Sequence, residues 1–104
     1  QGIPLAFSSD APYGDINPWR NMNAAITRAN SSGYIFGKKE TLTAEQALLA
    51  YLKDPVDLSV SREISTGADA DLCLLKKPWA ESRNLSDNDP VQYTLCSGEI
   101  VYNP

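Results

Sequence analysis

The side chains able to carry acid–base or metal chemistry in this chain are almost all carboxylates. Thirteen Asp and Glu stand beside two cysteines, and histidine is absent. Without histidine the chain alone cannot assemble a Ser-His-Asp or Cys-His constellation or a His-metal site. Any metal held by this chain alone would rest on carboxylate oxygens. The best-placed carboxylate is Asp10. It follows the apolar run Ile3-Pro4-Leu5-Ala6-Phe7 and the pair Ser8-Ser9, and a helix start lies just downstream. From the local residues alone, Asp10 reads first as an Asx-Pro turn whose carboxylate bonds the backbone near Pro12, and second as a carboxylate available for chemistry. Ser9, Pro12 and Tyr13 are the neighbours that could line a substrate pocket. Ser8 and Ser9 serve equally as hydroxyls satisfying backbone groups where the run ends. Asp15 reads as turn geometry and Trp19 as packing.

Other polar clusters carry less. Cys73 and Cys96 each sit in an apolar, strand-like run, where a buried free thiol is the commonest reading. A bridge between them stays open, and their spacing does not fit a zinc site. Asp69 and Asp71 flank Ala70, but too few ligands converge there for calcium. Arg28 can pair with a carboxylate elsewhere or lie solvated on a helix face. Lys38-Lys39 is a solvated loop tip.

The elements that position these residues follow from local pattern. The continuous apolarity of residues 3–7 is that of a strand buried on both faces, with Pro4 at its start. Asp10 to Asp15 is a loop. Asn17-Pro18 opens a helix, Asn17 as N-cap and Pro18 at the first position. Its apolar residues Trp19, Met22, Ala25, Ile26 and Ala29 recur at helical spacing, and the helix should fade in Asn30-Ser31-Ser32-Gly33. Thr43-Ala44-Glu45-Gln46 is a capping box. The stripe Ala44, Ala47, Leu48, Tyr51 and Leu52 follows, and Asp54-Pro55 should end that helix. After a Thr66-Gly67 turn, residues 70–75 read as a strand. Val91, Tyr93 and Leu95 alternate with polar neighbours, and Ser97-Gly98 links them to a returning strand at Glu99–Tyr102. Residues 76–90 read as loop.

A chain of 104 residues makes one small domain at most. The 42% apolar content and net charge of −4 argue against disorder. The acidic balance argues against a nucleic-acid surface, and no apolar run is long enough to span a bilayer. With no charged-then-apolar opening segment, a cytoplasmic location is expected. The opening at Gln1, directly ahead of an apolar run, is what a piece of a longer chain would show.

The order of motifs has a counterpart. Gly2-Ile3-Pro4-Leu5-Ala6-Phe7-Ser8-Ser9-Asp10-Ala11-Pro12, then Asn17-Pro18 and Ala25-Ile26-Thr27-Arg28, resembles the last barrel strand and helix of the metal-dependent amidohydrolases. The branch most similar is that of the N-substituted formamide deformylases and D-aminoacylases. Leu42-Thr43-Ala44-Glu45-Gln46-Ala47-Leu48, Gly67-Ala68-Asp69-Ala70-Asp71-Leu72 and the hairpin Val91–Tyr102 resemble its later motifs in the same order. Departures fall at Leu52-Lys53-Asp54-Pro55-Val56, where the family usually has Thr-x-Asn-Pro-Ala, and at Arg62-Glu63.

The resemblance implies an α+β piece. Residues 1–56 would hold the last strand and helices of a (β/α)₈ barrel, and residues 57–104 the C-terminal strands of a composite β-sandwich. It implies that Asp10 contacts a divalent metal, most often zinc, takes a proton from the attacking water and passes it to the leaving nitrogen. The substrate class would be a small molecule with a non-peptide C–N bond, such as an amide, formamide or N-acyl group. The partner would be the rest of the parent chain, with no metal bound by this chain alone and self-association through an unpaired strand edge open to it. The rival expectation is a small non-catalytic binding or interaction module, which needs a self-contained core.

Overall fold

The computed structural model describes residues 2–84 and 89–104. Gln1 and part of the 76–90 loop reading, residues 85–88, lie outside the described residues. The chain divides into two units, Gln1–Arg62 and Glu63–Pro104.

The first unit is built on two helices. Helix α1 spans Pro18–Thr27, with the Asn17 carboxamide oxygen accepting from Trp19 N at 2.9 Å and Pro18 in the first turn. It ends earlier than its apolar periodicity predicts. Arg28 takes a left-handed conformation at φ 55° and closes the helix with its N–H on Ala24 O, a common way to satisfy the last carbonyls. The chain then folds back, so that Ala29 bridges Ile35 and Asn30 Oδ1 accepts from Ser32 N and Tyr34 N. Arg28 holds this excursion through Nε on Phe36 O (3.1 Å) and an ion pair to Glu40 at 3.1 Å. Its carboxylate partner is therefore local, on the 3₁₀ turn Lys38–Glu40.

Helix α2 spans Ala44–Tyr51, opened by the capping box the sequence predicts: Gln46 N donates to Thr43 Oγ1 and Thr43 N to Gln46 Oε1. It ends at Tyr51, before Asp54-Pro55. The cause is a return of the chain, in which Lys53 bridges Ser61 and Arg62 N donates to Leu52 O. The same pairing carries residues 57–62 into the first unit.

Helices α1 and α2 pack together around Met22, 2% exposed, and Ala47 and Ala50. Residues 3–7, expected as a strand, pair with no other strand among the described residues. A strand needs a neighbour to take its amides, and the single bond here runs from Phe7 N to Ala50 O at 2.9 Å.

The second unit is a three-stranded antiparallel sheet, β1 (Leu72–Leu75), β2 (Val91–Cys96) and β3 (Glu99–Tyr102), in that order. Ser97 and Gly98 both have positive φ, the signature of a tight two-residue hairpin turn matched to strand twist. Asp71 Oδ1 accepts from Ser97 N across the sheet end. A short helix α3, Trp79–Ser82, interrupts the segment read as loop. Cys73 and Cys96 are free thiols, exposed rather than buried, because only Val91 of this sheet is buried.

The core is thin. Met22, Ala47, Ala50 and Val91 are the buried apolar residues, while Ile3, Leu5, Tyr13, Ile16 and Val56 are more than half exposed.

With so small a core, local caps carry an unusual share of the stability. Thr43→Ala should lower the stability of the first unit by about 1 kcal/mol, read as a shift of the urea midpoint at unchanged slope. An unchanged midpoint would show that the capping box contributes nothing.

Candidate active site

The turn from Ser8 to Asp15 is fixed at both ends. On the incoming side, besides the Phe7–Ala50 bond, the Phe7 ring stands edge-on to Tyr51, centroids 5.6 Å apart. On the outgoing side Asp15 is tied to α1: Arg20 pairs with Oδ2 at 2.9 Å, and Asn21 Nδ2 donates to the Asp15 carbonyl at 2.8 Å. Asn21 Nδ2 also reaches the Tyr51 hydroxyl at 3.1 Å. The segment that bears the candidate carboxylate is thus referred to both helices.

Within the turn, Asp10 adopts φ 51°. Aspartate tolerates this left-handed region better than most side chains. Its carbonyl accepts from Tyr13 N at 2.9 Å and Gly14 N at 3.1 Å. Its own N–H donates to Ser8 Oγ at 3.2 Å, and Ala11 N donates to Ser9 Oγ at 3.3 Å. The two serines therefore satisfy backbone groups, as their types suggest. Gly14 lies against the Ser9 carbonyl so closely that a Cβ there would overlap the oxygen. The Pro-Tyr-Gly-Asp run signals a turn in the sequence, but that Gly14 must be glycine for want of space is visible only in the folded chain.

The Asp10 carboxylate is exposed and accepts no hydrogen bond and forms no ion pair among the described residues. The Asx-Pro reading, in which that carboxylate bonds its own backbone, is absent from the geometry. Ser9 is half-buried, and Pro12 and Tyr13 are exposed, Tyr13 at 92%. The turn brings Ser9, Asp10, Pro12 and Tyr13 into one surface loop. Among the described residues no group of three or more His, Cys, Asp or Glu converges. Asp10 offers one oxygen donor of a kind that zinc and harder divalent ions accept, so the residues present fit one position of a metal site and cannot complete it.

Asp15, by contrast, is committed to structure. Its carboxyl is held below the ordinary aspartate value, first by the Asn17 N–H on Oδ1 at 2.9 Å and then by Arg20.

What the first unit presents is an unpaired apolar segment, a carboxylate-bearing turn and a helix. The chain belongs to the amidohydrolase family, whose family model matches residues 1–102. Its members are generally metal-dependent hydrolases, which fits a turn offering a single unengaged oxygen donor. No curated protein and no solved structure matches the chain.

Two outcomes follow. Gly14→Ala should destabilise the first unit by about 1–3 kcal/mol through overpacking against the Ser9 carbonyl, measured by chemical unfolding; a neutral result would show that the turn relaxes freely. Because the Asp15 carboxyl is depressed in the folded state, its ionised form favours folding above the unfolded value and that contribution fades as pH falls below about 4. Stability measured from pH 5 to pH 2.5 should therefore fall less steeply in Asp15→Asn than in the parent sequence.

Proposed function

We infer that this chain supplies the last strand, turn and helix of a (β/α)₈ barrel, and the C-terminal strands of a composite β-sandwich, to a cytoplasmic metal-dependent hydrolase. The reaction is hydrolysis of a non-peptide C–N bond in a small amide, formamide or N-acyl substrate. The order of motifs favours the branch of the N-substituted formamide deformylases and D-aminoacylases. The observation that carries the reading is the Asp10 carboxylate: exposed and unengaged, on a turn whose amides from residue 10 to residue 14 are bonded elsewhere or, at Pro12, missing.

The family match supports the hydrolase class, and the exposed apolar residues support the need for further chain. The rival reading, a self-sufficient binding module, requires a larger core than the four apolar side chains buried among the described residues.

Asp10 would provide one oxygen ligand to the metal. A divalent ion, most simply zinc, supplies Lewis acidity toward the substrate carbonyl and lowers the pKa of water beside it. Asp10 takes the proton from the attacking water and returns it to the departing nitrogen. Ser8 and Ser9 hold the backbone from which that carboxylate projects. Pro12 and Tyr13 lie on the same loop, within reach of a substrate at the barrel mouth.

In the complete enzyme, Asp10→Asn should lower kcat by at least about 100-fold with the fold retained; activity within a few-fold of the unaltered enzyme would remove Asp10 from the mechanism. The purified 104 residues should show no turnover of N-formyl or N-acyl amines with zinc, cobalt or manganese added, and measurable turnover would overturn the need for the rest of the barrel.

A further inference from the structure

The chain contains an internal control for how its aspartates behave in turns. Asp15, Asp54, Asp57 and Asp89 each lie in a loop with an N–H two residues on, and each carboxylate captures it. Asn17 N, Val56 N, Ser59 N and Val91 N donate to those carboxylates at 2.9, 2.8, 2.9 and 3.0 Å. This is the ordinary Asx turn. Asp69, with the Asp71 N–H two residues on, makes no such bond, so capture is frequent and not universal. Asp10 also escapes it, and there a reason can be read from the backbone. Two residues on stands Pro12, which has no N–H to give. The N–H one residue on, of Ala11, is held by Ser9 Oγ, and that of Asp10 itself by Ser8 Oγ. The next two, of Tyr13 and Gly14, are spent on the Asp10 carbonyl. From residue 10 to residue 14 every backbone amide is either missing or taken by something other than the carboxylate.

We propose that Ser8, Ser9 and Pro12 are positioning residues that deny the Asp10 carboxylate every local amide and so keep both its oxygens free. The inference rests on the reading of Asp10 as a reactive carboxylate and deepens it. A carboxylate that accepts a backbone N–H is a poorer base and has one lone pair fewer for a metal or a water proton. Pro12 therefore acts by the donor it lacks, and the two serines by the donors they occupy.

The test is amide hydrogen exchange followed by NMR on the complete parent protein, labelled with ¹⁵N at alanine, metal-free and without substrate. In Pro12→Ala the amide restored at position 12 should be captured by Asp10. After correction for neighbouring side chains, it should exchange at least about tenfold more slowly than in the double variant Pro12→Ala/Asp10→Gly, as a hydrogen bond to a charged acceptor requires. Glycine is used at position 10 because it keeps the left-handed backbone without a side chain. Equal exchange in the two proteins overturns the proposal. Should Pro12→Ala fail to fold, Ser9→Ala decides. The Ala11 amide, released from Ser9 Oγ, should be protected when Asp10 is present and lose about tenfold protection in Ser9→Ala/Asp10→Gly; equal rates again overturn it. Because no catalysis is read, a failure here leaves the catalytic role of Asp10 standing, and an active Asp10→Asn enzyme would remove that role whatever the exchange rates show.

Discussion

The turn between Phe7 and Asp15 is governed by a shortage of backbone donors. A loop carboxylate next to free amides closes on them, because a charge-assisted hydrogen bond to an adjacent N–H costs little chain entropy and is stronger than a neutral one. The chain lets this happen at Asp15, Asp54, Asp57 and Asp89, and in each the carboxyl is drawn below its ordinary value, chiefly by the amides at Asp15 and Asp54 and chiefly by the Ser59 and Tyr102 hydroxyls at Asp57 and Asp89. At Asp10 proline removes one donor, two serine hydroxyls occupy two, and the residue's own carbonyl takes two more. Order in the turn is reached without using the side chain that the hydrolase reading needs.

That arrangement depends on how firmly the turn is held. Phe7 is bonded and stacked to the end of α2, and Asp15 is bonded to the first turns of α1. The packing of α1 on α2 around Met22 and the two alanines thus sets the separation of the turn's two ends. Local polar closures reinforce it: the Asn17 cap, the Thr43–Gln46 box and the Arg28 bonds to Phe36 and Glu40. The sheet unit uses the same economy. Asp71 closes the β2–β3 turn, and Asp89 joins Tyr102 at 2.7 Å while its carbonyl accepts from Lys76 Nζ.

The exposed apolar side chains of residues 3–16 have a simple cause. A continuous apolar run is a sequence for a strand covered on both faces, and neither a pairing strand nor a second layer stands beside it among the described residues. Ile3 at 81% and Leu5 at 56% exposure are what such a run looks like without its sheet. The proposed reading of the chain as part of a larger amidohydrolase would give that run a partner strand.

The sequence by itself determined the local elements and the identity of the candidate carboxylate. Capping residues, the apolar period and the Ser-Gly turn are short-range signals, so α1, α2 and the β2–β3 hairpin were legible, and the ordered motifs singled out Asp10. Tertiary structure decided where the helices stop, because Arg28 and Leu52 yield to chain reversals set by the Ala29–Ile35 and Lys53–Ser61 bridges. It also decided that Cys73 and Cys96 are exposed, and that Gly14 is pressed against Ser9. Above all it decided that the Asp10 carboxylate is free. Whether a side chain bonds its own loop depends on which amides the folded backbone has already paired, and no residue type announces that in advance.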